Sequence, residues 1–67
     1  MRTGPPDERM LLDRRRIVQR LEAEGWVNEG GAKHDTFHHP DKGVTRVPRH
    51  RTVTPLVARS IAKAAGW

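Results

Sequence analysis

The chain has 67 residues, 34% of them apolar, which is enough for one small hydrophobic core and no more. It contains no cysteine, and this excludes a disulfide framework, a cysteine nucleophile and a thiolate metal site. Thirteen Lys and Arg against eight Asp and Glu give a formal net charge of +5, which is typical of proteins that bind polyanions.

The N-terminal part of the sequence predicts a lead-in followed by a helix. Residues 1–6, MRTGPP, are expected to fray because Gly and paired Pro do not build a helix interior. The next segment, DERMLLDRRRIVQRLEAEG, has apolar residues at helical spacing, and its final glycine is a natural stop. We therefore expect the first helix to end near Glu24, with the arginine run 14–16 on its solvated face.

The middle of the chain, residues 26–50, is predicted to form strands. In WVNEGGAKHDTFHHPDKGVTRVPRH, short stretches with Trp, Val, Thr and Phe are separated by GG and PDKG, which both favour tight turns. This pattern predicts a three-stranded antiparallel meander. Trp26, which follows the helix-ending glycine, is expected to anchor the core.

A second helix is predicted near the C-terminus. Thr54 can cap it, Pro55 fits its first position, and Gly66 follows its last apolar residue. One helical face carries an apolar stripe, formed by Val57, Ala58, Ile61, Ala62 and Ala65. The element order is then α-β-β-β-α, an α+β fold in which both helices cover one face of the sheet. We expect residues 1–67 to form a single domain.

Composition also predicts where the protein acts. No apolar run approaches the roughly 20 residues of a membrane helix, and MRTGPPDERM lacks the apolar core of a signal peptide. Together with the absence of cysteine, these features predict a cytoplasmic protein with no membrane association.

Three of the four histidines lie in GGAKHDTFHHPDKG, residues 30–43. Because side chains alternate along a strand, Phe37 and His34 fall on opposite faces, and Phe37 is the better core residue. His34, Thr36 and His38 would then share the exposed face. At about 3.3 Å per residue, His34 and His38 stand roughly 13 Å apart, too far to share one metal ion. We therefore expect no metal and no cofactor.

Acid–base chemistry on an anionic substrate fits an exposed histidine, which titrates near neutral pH. RNA has a 2′-hydroxyl that attacks the adjacent phosphodiester once deprotonated, and cationic side chains can stabilise the charge on the phosphate. From residue 43 onwards the chain has five Arg and Lys and no acidic residue, so this half is predicted to face the anion. Lys33, Arg46 and Arg49 flank His34 and are predicted to contact RNA. A surface or turn histidine without a catalytic role is the alternative.

Three segments, RRIVQRLEAEGWV, GGAKHDTFHHPDKG and VPRHRTVTPLVARSIAKAAG, resemble the HicA family of toxins in their order and spacing, over roughly residues 13–66. The resemblance implies a fold similar to double-stranded-RNA-binding domains, metal-independent cleavage of messenger RNA, and neutralisation by a HicB antitoxin. His34 falls on the family's catalytic histidine, in its "GSHH" stretch. Asp35 stands where many members have a second histidine, and GGAKH has one more residue between glycine and histidine than the commonest form.

The resemblance also suggests roles for two other histidines. His38 or His39, next to Pro40, matches the family's HP turn, which is expected to be structural. His50 closes VPRH, where it either orients a loop or contacts phosphate, and we include it among the predicted RNA-binding residues.

Three functions stay open on the sequence. The first is a toxin ribonuclease, the second a non-catalytic RNA-binding module of the same shape, and the third a DNA-binding or antitoxin-like interaction domain. Double-stranded-RNA domains need no exposed histidine, so the histidine cluster favours the first function. No helix-turn-helix or ribbon-dimer pattern is visible that would favour a DNA reader.

Overall fold

The computed structural model describes residues 12–67. The lead-in predicted for residues 1–6, and the start of the first predicted helix, lie outside the described residues. The elements in chain order are helix α1 (Arg14–Ala23), strands β1 (Val27–Asn28), β2 (His34–His39) and β3 (Gly43–Pro48), and helix α2 (Pro55–Ala65). The predicted order α-β-β-β-α is thus confirmed.

Helix α1 begins and ends at polar residues that satisfy free backbone groups. The carboxylate of Asp13 caps it by accepting a hydrogen bond from the N–H of Arg15 at 2.9 Å. Its C-terminal cap is Glu24, as predicted, and the next residue, Gly25, has φ +96°, a backbone conformation that only glycine adopts without strain. The chain therefore turns sharply out of α1 into the sheet.

Helix α2 has the ends that the sequence predicted. The hydroxyl of Thr54 accepts from the N–H of Val57 at 3.3 Å, and Pro55 occupies the first turn. Gly66 ends the helix in the left-handed region with φ +80°.

The three strands form one antiparallel sheet in the order β1-β2-β3. Strand β1 is only two residues long and pairs Val27 with His38. Strands β2 and β3 pair along their whole lengths, from His34 opposite Pro48 to His39 opposite Gly43. The predicted meander is confirmed, and it places β3 at one edge of the sheet.

Both helices cover one face of this sheet. Phe37 on β2 and Val47 on β3 have no exposed surface, and they pack in one cluster with apolar residues of the two helices. Trp26 also belongs to this cluster, as expected, with 2% of its surface exposed. The helix residues of the core are Ile17, Leu21, Ala58, Ile61 and Ala65.

No element within residues 12–67 covers the other face of the sheet, which is called the open face below. His34 and His38 are exposed and Thr36 is half-buried, while Phe37 between them is fully buried. The predicted separation of His34 and Phe37 onto opposite faces is therefore confirmed. The fold leaves His34 accessible at the start of β2.

Candidate functional site

A groove of about 530 Å³ runs along the edge strand β3. It lies between residues of the open face, among them His34, and helix α2 on the covered side. Its other polar side chains include Arg46 and Ser60. The apolar part of its lining comes from Val44, Pro48, Val57 and Ala64. The groove thus combines an imidazole, a guanidinium and a hydroxyl with an apolar surface.

The register of the sheet explains why His34 and Arg46 meet there. His34 pairs with Pro48, and Thr36 pairs with Arg46, so both side chains lie on the open face within one two-residue step. Both are exposed. The structure therefore brings together the histidine and one of the cations that the sequence placed beside it.

Lys33 and His50 lie just beyond the same end of the sheet. Lys33 immediately precedes β2, His50 lies two residues after the end of β3, and both are exposed. Because His34 pairs with Pro48, both residues lie at the same end of the sheet as His34. They are not among the residues that line the groove itself.

Arg49, the fourth predicted RNA-binding residue, is engaged within the protein. Its Nε donates to Oδ1 of Asp35 at 3.0 Å, Nη2 donates to the carbonyl oxygen of Gly31 at 2.6 Å, and Nη1 donates to that of Ala32 at 3.3 Å. Its side chain nevertheless remains 46% exposed. The guanidinium connects the segment after β3 to the glycine turn before His34.

Asp35 is a buried carboxylate to which the sequence analysis assigned no role. It accepts hydrogen bonds from Arg14 and Arg49, and its side chain is 12% exposed. Burial by itself raises the pKa of Asp35, but the hydrogen bond from Arg49 and the charges of Arg49 and Arg14 outweigh it, so the pKa lies below its usual value. Alternation in β2 was a usable signal, because it puts Asp35 on the same face as Phe37, where a carboxylate needs a cationic partner.

The solvated face expected for the arginine run 14–16 is wrong for Arg14. Arg15 and Arg16 are exposed, but the side chain of Arg14 is only 24% exposed. It pairs with Asp35, and its Nε donates to the carbonyl oxygen of Pro48 at 2.8 Å. The buried carboxylate is the physical reason that this arginine turns inward.

The turn before His34 is closed by backbone hydrogen bonds. The N–H of Glu29 donates to the carbonyl of Thr36 at 2.7 Å, and the N–H of Thr36 donates to the carbonyl of Gly30 at 2.9 Å. Gly31 has φ +150°, and a Cβ at this position would collide with the carbonyl oxygen of His34. The turn therefore packs directly on the backbone of His34.

His39 has the structural role expected for the HP turn. Its Nδ1 accepts from the N–H groups of Asp41 and Lys42 at 3.0 and 3.2 Å. Since Nδ1 is the acceptor, the network assigns the proton to Nε2, which lies 3.2 Å from the carbonyl oxygen of Glu24. The ring packs against Trp26 with 5.3 Å between centroids. His39 thus holds the β2–β3 turn and the end of α1 together.

Within residues 12–67, no group of three or more His, Asp or Glu side chains is arranged to hold a metal ion. None of the helices in that range has the length and apolar character that a membrane crossing requires.

The fold and the site together describe a small basic α+β domain with an exposed histidine after a glycine turn. Comparison with known families shows the family to which it belongs. The model of the family described as "HicA toxin of bacterial toxin-antitoxin" matches residues 14–67. The chain therefore belongs to the HicA toxin family, as its sequence motifs suggested. Comparison with curated proteins and with solved structures gave no significant match.

Membership of this family establishes a toxin role within a toxin–antitoxin module, and it implies an antitoxin partner. The family is one of nuclease-like toxins. The likeness to double-stranded-RNA-binding domains stays a prediction from the sequence.

Proposed function

We propose that this protein is the toxin of a type II toxin–antitoxin system and a metal-independent endoribonuclease that cleaves messenger RNA in the cytoplasm. The observation that carries the proposal is the placement of His34 and Arg46 in one open groove. The imidazole is an acid–base group, the guanidinium is a permanent cation, and both are accessible to a substrate.

In the proposed reaction, His34 accepts the proton of a ribose 2′-hydroxyl. The 2′-oxygen attacks the adjacent phosphorus, and the bond from phosphorus to the 5′-oxygen breaks. The protonated imidazole then returns a proton to the leaving 5′-oxygen, so that a 2′,3′-cyclic phosphate and a 5′-hydroxyl are formed. Arg46 stabilises the negative charge that develops on the phosphate oxygens.

RNA binding is proposed to use the basic end of the sheet. Lys33, Arg46 and His50 are exposed around His34, and Arg49 contributes the part of its side chain that its internal hydrogen bonds leave accessible. The net charge of +5 supports attraction to a phosphate backbone.

The antitoxin partner is proposed to be a HicB-like protein that covers the open face of the sheet. Val27 and Val44 are 60% and 54% exposed there, so that apolar surface surrounds the exposed His38 and reaches the groove. A partner with an acidic surface would match the charge of the toxin and block access to His34. Co-purification of the co-expressed pair tests this partner, and recovery of free toxin alone would count against it.

The proposed reaction is tested by incubating the purified protein with an RNA oligonucleotide and with its 2′-deoxy counterpart, each with and without EDTA. We expect cleavage of the RNA only, cyclic-phosphate ends on the products, and no effect of EDTA. A protein that binds the RNA but leaves it intact would instead be the non-catalytic RNA-binding module of the same fold.

A further inference from the structure

We infer that Asp35, held between Arg14 and Arg49, is a positioning residue that fixes the glycine turn and thereby orients His34. This inference rests on the proposed function. It assigns a task to a buried carboxylate that the proposed reaction does not use. The three residues are called the Asp35 clamp below.

Asp35 directly follows His34 in β2, but the two side chains lie on opposite faces of the sheet. The carboxylate is buried on the covered side, whereas the imidazole is exposed in the groove. Asp35 is not among the residues that line the groove, so we expect any effect it has on the reaction to pass through the backbone of His34.

Arg49 joins the residues on both sides of His34. It binds Asp35 on one side, and on the other side it binds the carbonyl oxygens of Gly31 and Ala32. An arginine fork has a fixed planar geometry, so these contacts define the distance between the turn and β2. A lysine could supply the charge but not this set of contacts.

Arg14 holds the end of β3, the strand that pairs with β2. Its Nε donates to the carbonyl oxygen of Pro48, the residue that pairs with His34, while the same guanidinium binds Asp35. One carboxylate thus connects the start of α1, the end of β3 and the glycine turn. All of these contacts meet at the backbone around His34.

The Arg49–Asp35 pair adds little to overall stability because Arg49 is near half exposure and solvent screens the pair, whereas the largely buried Arg14–Asp35 pair contributes more. Catalysis is more sensitive, since a displacement of about 1 Å at a reacting group can cost on the order of 100-fold in rate. We therefore expect loss of the Asp35 carboxylate to lower stability through Arg14 and to lower the cleavage rate through the position of His34.

The test compares Asp35→Asn with Glu24→Gln. Glu24 is a matched control, because its carboxylate also accepts a hydrogen bond from an arginine, Arg20 at 3.2 Å, but on the helical side of the molecule. For Asp35→Asn we expect kcat for RNA cleavage to fall on the order of 10- to 100-fold, with KM little changed. Glu24→Gln should retain the kcat and KM of the wild type.

A double-variant comparison separates positioning from general weakening. If Asp35 and Arg49 act through one link, then Asp35→Asn combined with Arg49→Lys should lower kcat no further than the more damaging single change. Multiplicative losses in kcat would contradict a shared link. Should Asp35→Asn fail to fold, Arg49→Lys provides the same kcat measurement with the positive charge retained.

Amide hydrogen exchange gives a readout that does not depend on activity. The N–H of Thr36 is protected by the carbonyl of Gly30, so its exchange should accelerate in Asp35→Asn but not in Glu24→Gln. An inactive wild type would refute the proposed function, while exchange would still test whether the clamp orders the turn. A folded Asp35→Asn with wild-type kcat, or with unchanged exchange at Thr36, would overturn the inference.

Discussion

His34 and Arg46 lie in the wall of one groove, although twelve positions of sequence numbering separate them. The antiparallel register produces this proximity, because Thr36 pairs with Arg46 and His34 stands on the same face two residues earlier. The paired strands β2 and β3 therefore hold the imidazole of His34 and the guanidinium of Arg46 on one face. Neither side chain lies on a long loop.

The first prediction concerns electrostatics. RNA binding should weaken steeply with salt, since each neutralised phosphate contributes about −0.9 to the log–log slope on a duplex and about −0.7 on a single strand. Arg46→Ala should reduce the magnitude of that slope by about 1. Arg16→Ala, an equal charge change at an exposed position on α1, should leave the slope unaltered. Binding that is insensitive to salt in gel-shift titrations would contradict the basic-surface interpretation.

The second prediction concerns the glycine turn. Gly31→Ala should reduce cleavage strongly, because the new Cβ would push on the carbonyl oxygen of His34. Gly30→Ala is the matched control: its φ of +75° also disfavours alanine, but its Cβ would meet no atom within 4 Å. Comparison of the RNA cleavage rates of the two variants isolates the contact with His34. Equal losses would mean that backbone strain alone is responsible.

The third prediction distinguishes two adjacent histidines by stability. His39→Ala removes the acceptor of the exposed N–H groups of Asp41 and Lys42 together with the ring that packs on Trp26, and it should cost about 1 kcal/mol of unfolding free energy. His38→Ala changes an exposed side chain on the open face and should stay within about 0.5 kcal/mol of the wild type. Urea unfolding measures both values. A destabilised His38→Ala with a wild-type-like His39→Ala would show that the roles are reversed.

The fourth prediction concerns pH. The pKa of Asp35 is depressed in the folded protein below its ordinary value of 3.8, so its contribution to stability is present above that value and is lost as the pH falls through the folded pKa. The pKa of Glu24 is also lowered, by hydrogen bonds from Trp67 and Arg20. Unfolding free energies measured against pH should show a smaller loss on acidification for Asp35→Asn than for the wild type. A parallel pH dependence in the two proteins would contradict the assignment.

The parts of this fold that could be predicted are those that local sequence specifies. The capping residue Thr54 and the terminal Gly66 fixed the second helix, and alternation in β2 separated His34 from Phe37. Each of these signals acts within a few residues. For the same reason, the exposed position of His34 could be predicted.

The Asp35 clamp was not predicted because its contacts join distant parts of the chain. Arg14 and Asp35 are 21 residues apart, and nothing local shows which arginine of the run turns inward. The internal role of Arg49 has the same origin, since its partners lie 14 to 18 residues earlier. Only the packing of α1 and β3 against β2 brings these groups together.

The central claim is that His34 carries the chemistry. The most direct measurement is RNA cleavage by His34→Ala beside His38→Ala, the control from the same strand and the same exposed face, with circular dichroism confirming that both are folded. We predict a loss of about 10²–10⁴-fold for His34→Ala, with RNA binding retained, and little change for His38→Ala. Full cleavage activity in a folded His34→Ala protein would contradict the account.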